Sequence, residues 1–425
     1  MAPSTPTPSG SLSVRDAQAC ILGKVRPAGT EDVPLEQALG RVLATDVRAN
    51  RDLPPYDVSA MDGYAVRSAD IAAAPATLKI VDDIKAGDMP RVALQPGQCA
   101  RIMTGAPVPA GADTVVRVED TRPGLDADGC AEFLIPVPAA TDIRRRAENM
   151  RQGDVVLPPG AEIVPGAIGV LATVKQAKVT VYRKPRIAIL SSGNELEALH
   201  EPFNPERIPD ANTYTLMAQV QALGIEPDRL GIARDNLAEL TGFLERGLEY
   251  DVLLISGGTS VGVHDHVRPA LAALGVTLHF WRVDMRPGHP VAFGTTDRAF
   301  VFCLPGNPVS SMVCFEQFVL PALRALTGHH RLFRRVLPAR LTHAVKSRPG
   351  RVEFVRVALT RNADGVVEAT SAGPQSSGDV LTMARADGLL IVPAASKGLA
   401  AGETALVQIL EAGAYQDDAG LGDAA

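Results

Sequence analysis

Little in this 425-residue sequence favours a disulfide scaffold, a zinc site or a membrane. Its five cysteines (Cys20, Cys99, Cys130, Cys303, Cys314) are scattered, with no Cys-x-x-Cys pair. That spacing argues against a disulfide framework and a structural zinc site, and it fits a reducing cytoplasm. Aromatics make up only 4% of the residues, too few for the stacking platforms that readers of single-stranded nucleic acid use. Positive charge is also short: 42 Lys and Arg face 48 Asp and Glu, a net charge of −6. A net acidic chain binds nucleic acid and anionic membranes poorly, although a local site for a small anion is compatible with it. The most apolar stretch, residues 163–174, is broken by Pro165 and two glycines and falls short of the roughly 20 residues of a membrane span. Residues 1–11 have neither a basic n-region nor an apolar core, so they are expected to be a disordered lead and not a signal peptide. Walker A and Gly-x-Gly-x-x-Gly strings are absent, which disfavours a P-loop NTPase and a simple dinucleotide dehydrogenase.

Glycine (38) and proline (33) are abundant. Together they make up about 17% of the chain against a usual total of roughly 12%, which implies many shaped turns. Hydrophobic residues at 46% suffice for several cores, and length alone suggests about three domains. Residues 14–25 carry apolar side chains on one helical face behind a Ser13/Asp16 cap. A short helix is expected at 34–41, followed by an apolar run at 42–47. Residues 53–66, with a Pro pair and an Asp-Gly step, read as loop. Residues 76–142 read as a small all-β unit, with strands near 78–84, 99–103, 114–118 and 132–137. Residues 184–327 alternate strands and helices and predict a parallel, doubly wound sheet. Residues 336–412 return to β, and 413–425 read as a frayed tail.

In an open α/β sheet, ligands bind beyond the carboxyl ends of the strands. Three such ends carry unusual loops here: Ser191-Ser192-Gly193-Asn194-Glu195, Ser256-Gly257-Gly258-Thr259-Ser260-Val261-Gly262 and Leu304-Pro305-Gly306-Asn307-Pro308. Glycine turns before helices expose backbone N–H groups to phosphate, although each glycine also serves simply to close a tight turn. Glu195, Asp235 and Asp265 belong to the same edge. They are candidates for Mg²⁺, which takes one or two carboxylates plus ligand phosphates. Helix capping is the competing reading for Asp235 and Asp265. His264 and His266 form a His-x-His with no third partner, a weak transition-metal pattern. Arg286 and His289, in Asp284-Met-Arg-Pro-Gly-His-Pro, offer one fixed and one titratable cation, or a plain surface turn. Arg144-Arg-Arg-Ala-Glu148-Asn149 reads as a solvated charge run, and 329–340 as a solvated linker.

Four strings together carry a resemblance: Ser59-Ala-Met-Asp62-Gly-Tyr-Ala, Arg101-Ile-Met-Thr104-Gly-Ala-Pro, Ser256-Gly-Gly-Thr-Ser-Val-Gly and Leu304-Pro-Gly-Asn-Pro-Val-Ser. In this order, and across nearly the whole chain, they resemble the molybdopterin molybdenumtransferases, the MoeA family that includes the E domain of gephyrin. The resemblance implies α/β plus β architecture in several domains. Residues 12–55 and 143–183 would form an elongated discontinuous domain, and 56–142 an inserted small β domain. Residues 184–329 would form a doubly wound molybdopterin-binding domain similar to molybdopterin adenylyltransferases (MogA/MoaB-like), and 330–412 a C-terminal β-barrel. It also implies a cytoplasmic homodimer with a cleft between the α/β domain of one subunit and the inserted-domain region of the other. The implied reaction inserts molybdate into adenylylated molybdopterin, releasing AMP with help from Mg²⁺. A molybdopterin adenylyltransferase would act upstream, and neither nucleic acid nor membrane is an implied partner.

Carried across by position, Asp62, Thr104, Glu148, Glu195, Asp235 and Asp265 are the implied catalytic residues, the last three also holding metal. Ser192, Gly193, Ser256, Gly257, Gly258, Ser260, Gly262, Arg286, His289, Pro305, Gly306, Asn307 and Ser377, beside Gly378, are the implied substrate contacts. Two departures stand out. Asn149 replaces a family Asp, and Arg286 and His289 replace two family lysines, so His289 is cationic only when protonated. The alternatives are molybdopterin adenylylation with ATP and a non-catalytic scaffold of the gephyrin type.

Overall fold

The computed structural model describes residues 10–122, 129–202, 204–258 and 266–410. The chain divides into two compact units. The second is Val33–Leu39 with Thr45–Val179, and the first holds the rest. The first unit begins with helix α1 (Val14–Lys24), where Ser13 Oγ accepts from the Asp16 amide at 3.1 Å. Ala17 and Ile21 on its inner face join the core of the α/β sheet.

The second unit is built on a six-stranded sheet. Its strands are β1 (Gly63–Val66), β2 (Ala76–Ile84), β3 (Gln98–Ile102), β4 (Thr114–Arg117), β5 (Thr121–Arg122) and β6 (Cys130–Phe133), in the order β4-β1-β3-β2-β6-β5. This corrects the loop expected over 53–66. Two strands lie there, β1 and the two-residue Val58–Ser59. β1 is buried along its whole length between β3 and β4, so it lacks the polar alternation that marks a half-exposed strand. Gly63 is required by close approach: a Cβ there would stand 1.9 Å from the Val116 carbonyl oxygen. The helix expected at 34–41 is only a 3₁₀ turn, Leu35–Gln37. The apolar stretch near 163–174 forms helix α2 (Pro165–Thr173), with proline where a missing N–H costs nothing.

The α/β part of the first unit runs β7 (Ile187–Ser192), α3 (Ala211–Gln221), β8 (Asp228–Ala233), α4 (Leu237–Gly247), β9 (Val252–Ser256), α5 (Val267–Ala273), β10 (Thr277–Phe280), β11 (Ala292–Thr295) and β12 (Phe300–Leu304). The sheet order is β8-β7-β9-β12-β11-β10. β8, β7, β9 and β12 are mutually parallel. The parallel expectation fails at β11, which is antiparallel to both neighbours. Helix α6 (Pro308–Leu326) follows, with its middle turn Phe315–Val319 wound as π-helix. By length and composition it could cross a membrane, yet 83% of it is buried, as befits a core helix.

The chain ends in a barrel of β13 (Val336–Leu341), β14 (Val352–Arg361), β15 (Val367–Ser371), β16 (Gly388–Val392) and β17 (Thr404–Ile409). The ring closes as β14-β15-β13-β17-β16-β14. Closure leaves no free sheet edge. The linker expected over 329–340 is therefore part strand. Its Arg334 is also not a solvated charge, because Nε bonds the buried Glu316 carboxylate at 3.0 Å.

Gly63→Ala is expected to lower stability by roughly 1–3 kcal/mol, because the added methyl overpacks against backbone that cannot retreat. The denaturant midpoint checks it, and an unshifted midpoint would show that the β1–β4 spacing is soft.

Candidate active site

Loops at the carboxyl ends of the parallel strands share one edge of the α/β sheet. In sheet order they carry Asp235 after β8, Gly193 to Glu195 after β7, Ser256 to Gly258 at the end of β9, Pro305 to Asn307 after β12, and, past the end of β10, His289 with Arg286, whose two-residue strand Met285–Arg286 pairs with β14. Across the five intervals from β8 to β10, at about 4.8 Å each, the row spans roughly 24 Å. The edge therefore suits an extended ligand.

The centre of the row is drawn tight. Gly257 has φ +91°, and a Cβ there would fall 2.3 Å from the Ser192 carbonyl oxygen. Its N–H donates to the Leu304 carbonyl at 3.1 Å. A Cβ on Gly306 would in turn touch Gly257 Cα at 3.6 Å. Bare backbone of three loops thus meets with no side chain between.

The first turn of α3 holds these strand ends from below. Asp210, 3% exposed, accepts from Ser191 Oγ at 2.9 Å, from the Thr213 amide at 3.1 Å and from Thr213 Oγ1 at 2.7 Å. Asn212 Nδ2 donates to Ser256 Oγ and to the Gly306 carbonyl, both at 2.7 Å. Neither residue was singled out from the sequence. Asp-Ala-Asn before a helix is a cap pattern, and only the fold shows that it reaches three strands.

Asn307 and Ser377 also meet. Asn307 Nδ2 donates to Ser377 Oγ at 3.0 Å, and the Val309 amide donates to the Ser377 carbonyl at 3.1 Å. Ser377 thus sits at the N-terminus of α6. Its loop is held by Arg356, 2% exposed, which donates to the Pro374 and Ser376 carbonyls and to Gln375 Oε1. Burial pushes the Arg356 guanidinium below its usual value, with Asp379 working against that. A single arginine inside an apolar strand gives no sequence signal of this role.

At the acidic end, Asn194 Oδ1 accepts from the Asp235 amide at 3.1 Å and so joins the two carboxylate-bearing loops. The cap of α4 is Asn236, which corrects the capping reading of Asp235. The side chains of Glu195 and Asp235 are exposed, hard oxygen donors of the kind Mg²⁺ takes. Among the described residues, no group of three His, Cys, Asp or Glu could hold a metal ion. Ser260, Gly262, His264 and Asp265 lie outside the described residues. His266 opens α5 without a side-chain cap bond.

At the basic end, Arg286 Nη1 stands 3.7 Å from Glu353 Oε2. His289 Nδ1 is 2.7 Å from the Val283 carbonyl. A carbonyl only accepts, so Nδ1 carries the proton and Nε2 is the ring atom left for a ligand.

The second unit brings together Asp62 and Thr104, 42 positions apart. Asp62 Oδ1 accepts from both the Thr104 amide and Thr104 Oγ1 at 2.7 Å. These two bonds, the amide first, hold its carboxyl below the usual carboxylate range. Glu148 is exposed, and its Oε2 accepts from the Arg145 amide at 2.8 Å. The arginine run remains exposed but is paired: Arg145 with Asp57, Arg146 with Asp52, and Arg144 with Asn149 Oδ1.

Known proteins match this chain over nearly its full length. Residues 12–174 match the MoeA N-terminal region (domain I and II), 188–325 a probable molybdopterin binding domain, and 338–410 the MoeA C-terminal region (domain IV). The molybdopterin molybdenumtransferase of Nostoc sp. is 37% identical over 419 residues, 95% of this chain and 94% of that one. The Haemophilus influenzae protein of the same name is 34% identical, covering 90% and 94%. A crystal structure of the molybdopterin biosynthesis moeA protein from Pyrococcus horikoshii OT3 superposes with a TM-score of 0.81 at 27% identity, over 94% of this chain and 100% of that one.

Thr104→Val removes one of the two donors to Asp62, so the Asp62 titration is expected to move up toward the ordinary carboxylate value. Since the folded value lies below the unfolded one, this pairing favours the fold above the ordinary range and is lost as pH falls through the depressed value. A carboxyl-carbon NMR titration checks the shift. An unmoved midpoint would assign the whole effect to the Thr104 amide.

Proposed function

Because the chain belongs to the MoeA family of molybdopterin molybdenumtransferases, it is a transferase of molybdenum cofactor biosynthesis, and we propose that it inserts molybdate into adenylylated molybdopterin with release of AMP. The observation that carries this reading is the polarised edge of the α/β sheet. Side-chain-free backbone at Gly257 and Gly306 lies between a pair of carboxylates and a pair of basic residues. Such a row suits a ligand with a phosphate at its middle.

In this reading Ser192, Gly193, Ser256, Gly257, Gly258, Pro305, Gly306 and Asn307 line the phosphate and pterin path. Asn307 and Ser377 add donors at the positive end of α6. Ser260 and Gly262 extend the path by sequence alone. Arg286 supplies fixed charge to an anion, and His289 presents Nε2, which donates when the ring is protonated and accepts when it is neutral. Asp62, kept ionised by Thr104, orients donors on the substrate and does not store a proton. Glu148 shapes the turn that follows the arginines. Glu195 and Asp235, with Asp265, would hold Mg²⁺, whose chemistry when bound would be to offset negative charge on the phosphate. We further propose a cytoplasmic homodimer that takes its substrate from a molybdopterin adenylyltransferase.

The test mixes the purified protein with adenylylated molybdopterin, Mg²⁺ and either molybdate or tungstate, and follows AMP and bound metal. AMP is expected only when oxyanion and divalent cation are both present. Glu195→Ala and Asp62→Ala are each expected to slow it by about 100-fold or more, the scale for losing an electrostatic group aimed at the reacting centre. ATP consumption with molybdopterin alone, without oxyanion, would replace insertion by adenylylation. Sedimentation at the mass of a single chain would remove the dimer.

A further inference from the structure

The side-chain amide of Asn212 is locked in one direction. Its Nδ2 is 2.7 Å from the Gly306 carbonyl oxygen, which only accepts, so the nitrogen must face it. The reversed amide would set two oxygens against each other at that distance. The same Nδ2 gives its other hydrogen to Ser256 Oγ. Both amide hydrogens are then used, and Asn212 Oδ1 is left buried without a hydrogen-bond partner among the described residues. Asn212 is 8% exposed and Ser256 2%. The fold tolerates an unpaired buried acceptor in order to keep the amide this way round.

That orientation has a consequence for Ser256. A hydroxyl has one hydrogen and accepts through its lone pairs. Asn212 takes one of the two lone pairs, so the Ser256 hydrogen points away from Asn212 and shares the outward side with the one lone pair left; among the described residues no hydrogen bond uses that hydrogen. Ser256 ends β9, at the centre of the glycine loops. We infer that Asn212 is a positioning residue that presets the Ser256 hydroxyl as a donor, so that this position receives an acceptor-only group, a phosphate or another oxyanion. The inference rests on the reading of Ser256 as a ligand contact. It adds a bias toward acceptors: a ligand N–H or O–H finds one Ser256 lone pair already taken by Asn212, whereas an oxyanion finds the hydroxyl hydrogen unused.

The experiment uses AMP as the binding probe, by calorimetry, and the molybdate-dependent release assay on the full chain. Asn212→Asp keeps the size but only accepts, so it captures the Ser256 hydrogen. AMP binding is expected to weaken by about tenfold or more, the scale of one charge-assisted hydrogen bond. Asn212→Ala frees the hydroxyl without competing for it and is expected to cost only about two- to threefold, within the range of weak coupling. In a Ser256→Ala background, Asn212→Ala should cost less than it does in the parent chain, leaving only the loss of its bond to Gly306. In turnover, KM should rise while kcat holds, and thermal melting separates any loss of fold from loss of binding.

The inference is overturned if Asn212→Asp binds AMP like the parent chain, or if the Asn212→Ala and Ser256→Ala losses multiply. It is also overturned if Ser256→Ala leaves AMP binding unchanged. In those cases the insertion reading survives so long as the parent chain still releases AMP in response to molybdate. A parent chain that neither binds nor releases AMP removes both readings.

Discussion

The first turn of α3 is the constraint on which the ligand edge depends. Asp210 grips Ser191 at the end of β7, and Asn212 grips Ser256 at the end of β9 and Gly306 after β12. Three parallel strands would otherwise end in loops rich in glycine, the residue with most freedom to lose. Two residues at the start of one helix, the cap Asp210 and Asn212, hold those loops together. An N-cap of this kind is worth about 0.5–2 kcal/mol in an ordinary helix. Here its larger consequence is that Ser192, Gly257 and Gly306 keep a fixed spacing that no side chain of their own could set.

A second buried polar cluster ties α6 to its surroundings. Glu316, 4% exposed, takes Gln219 Nε2 at 3.0 Å from α3 and Arg334 Nε at 3.0 Å from the run entering the barrel. Next to it, Gln317 donates to Gln408 of β17 at 2.6 Å and accepts from Gln18 of α1 at 3.1 Å through its carbonyl. These residues lie in the π-wound turn, where the wider helix redirects side chains. Removing one partner of such a buried pair costs about 3–5 kcal/mol, since the remaining charge has no water to turn to. The α/β core, the N-terminal helix and the barrel are therefore one mechanical assembly.

Much of this was legible in the sequence where periodicity was strong. The helix near 14–25 and the alternation of strands and helices over 184–327 match expectation apart from β11, because burial on one face or both imposes a clear pattern. β1 was hidden because Asp62-Gly63 looks like a turn and the strand is buried throughout. β11 was hidden behind Pro290 and interrupted by Gly294. At the site, the glycine loops announced themselves by composition, and Asp62 and Thr104 by motif. What pairs with what was not legible. Nothing local says that Asp62 would bond Thr104, that Asn236 and not Asp235 would cap α4, or that Asn212 would reach Gly306 across 94 positions.

The contact between Ser377 and the start of α6 couples a loop of the barrel domain to the ligand edge. The Val309 amide and the Asn307 side chain each contribute one bond to Ser377, and Arg356 inside β14 anchors the same loop from the other side. A molecule that contacts both Asn307 and Ser377 would favour the docked form of the barrel loop. By mass action it draws the population toward that form, and the barrel's own opening equilibrium becomes a gauge of occupancy. Amide exchange in β14, which holds the Ser377 loop through Arg356, should slow as the edge fills. The barrel domain, which reaches the edge through the Ser377 loop, would then report from its own backbone whether substrate is present.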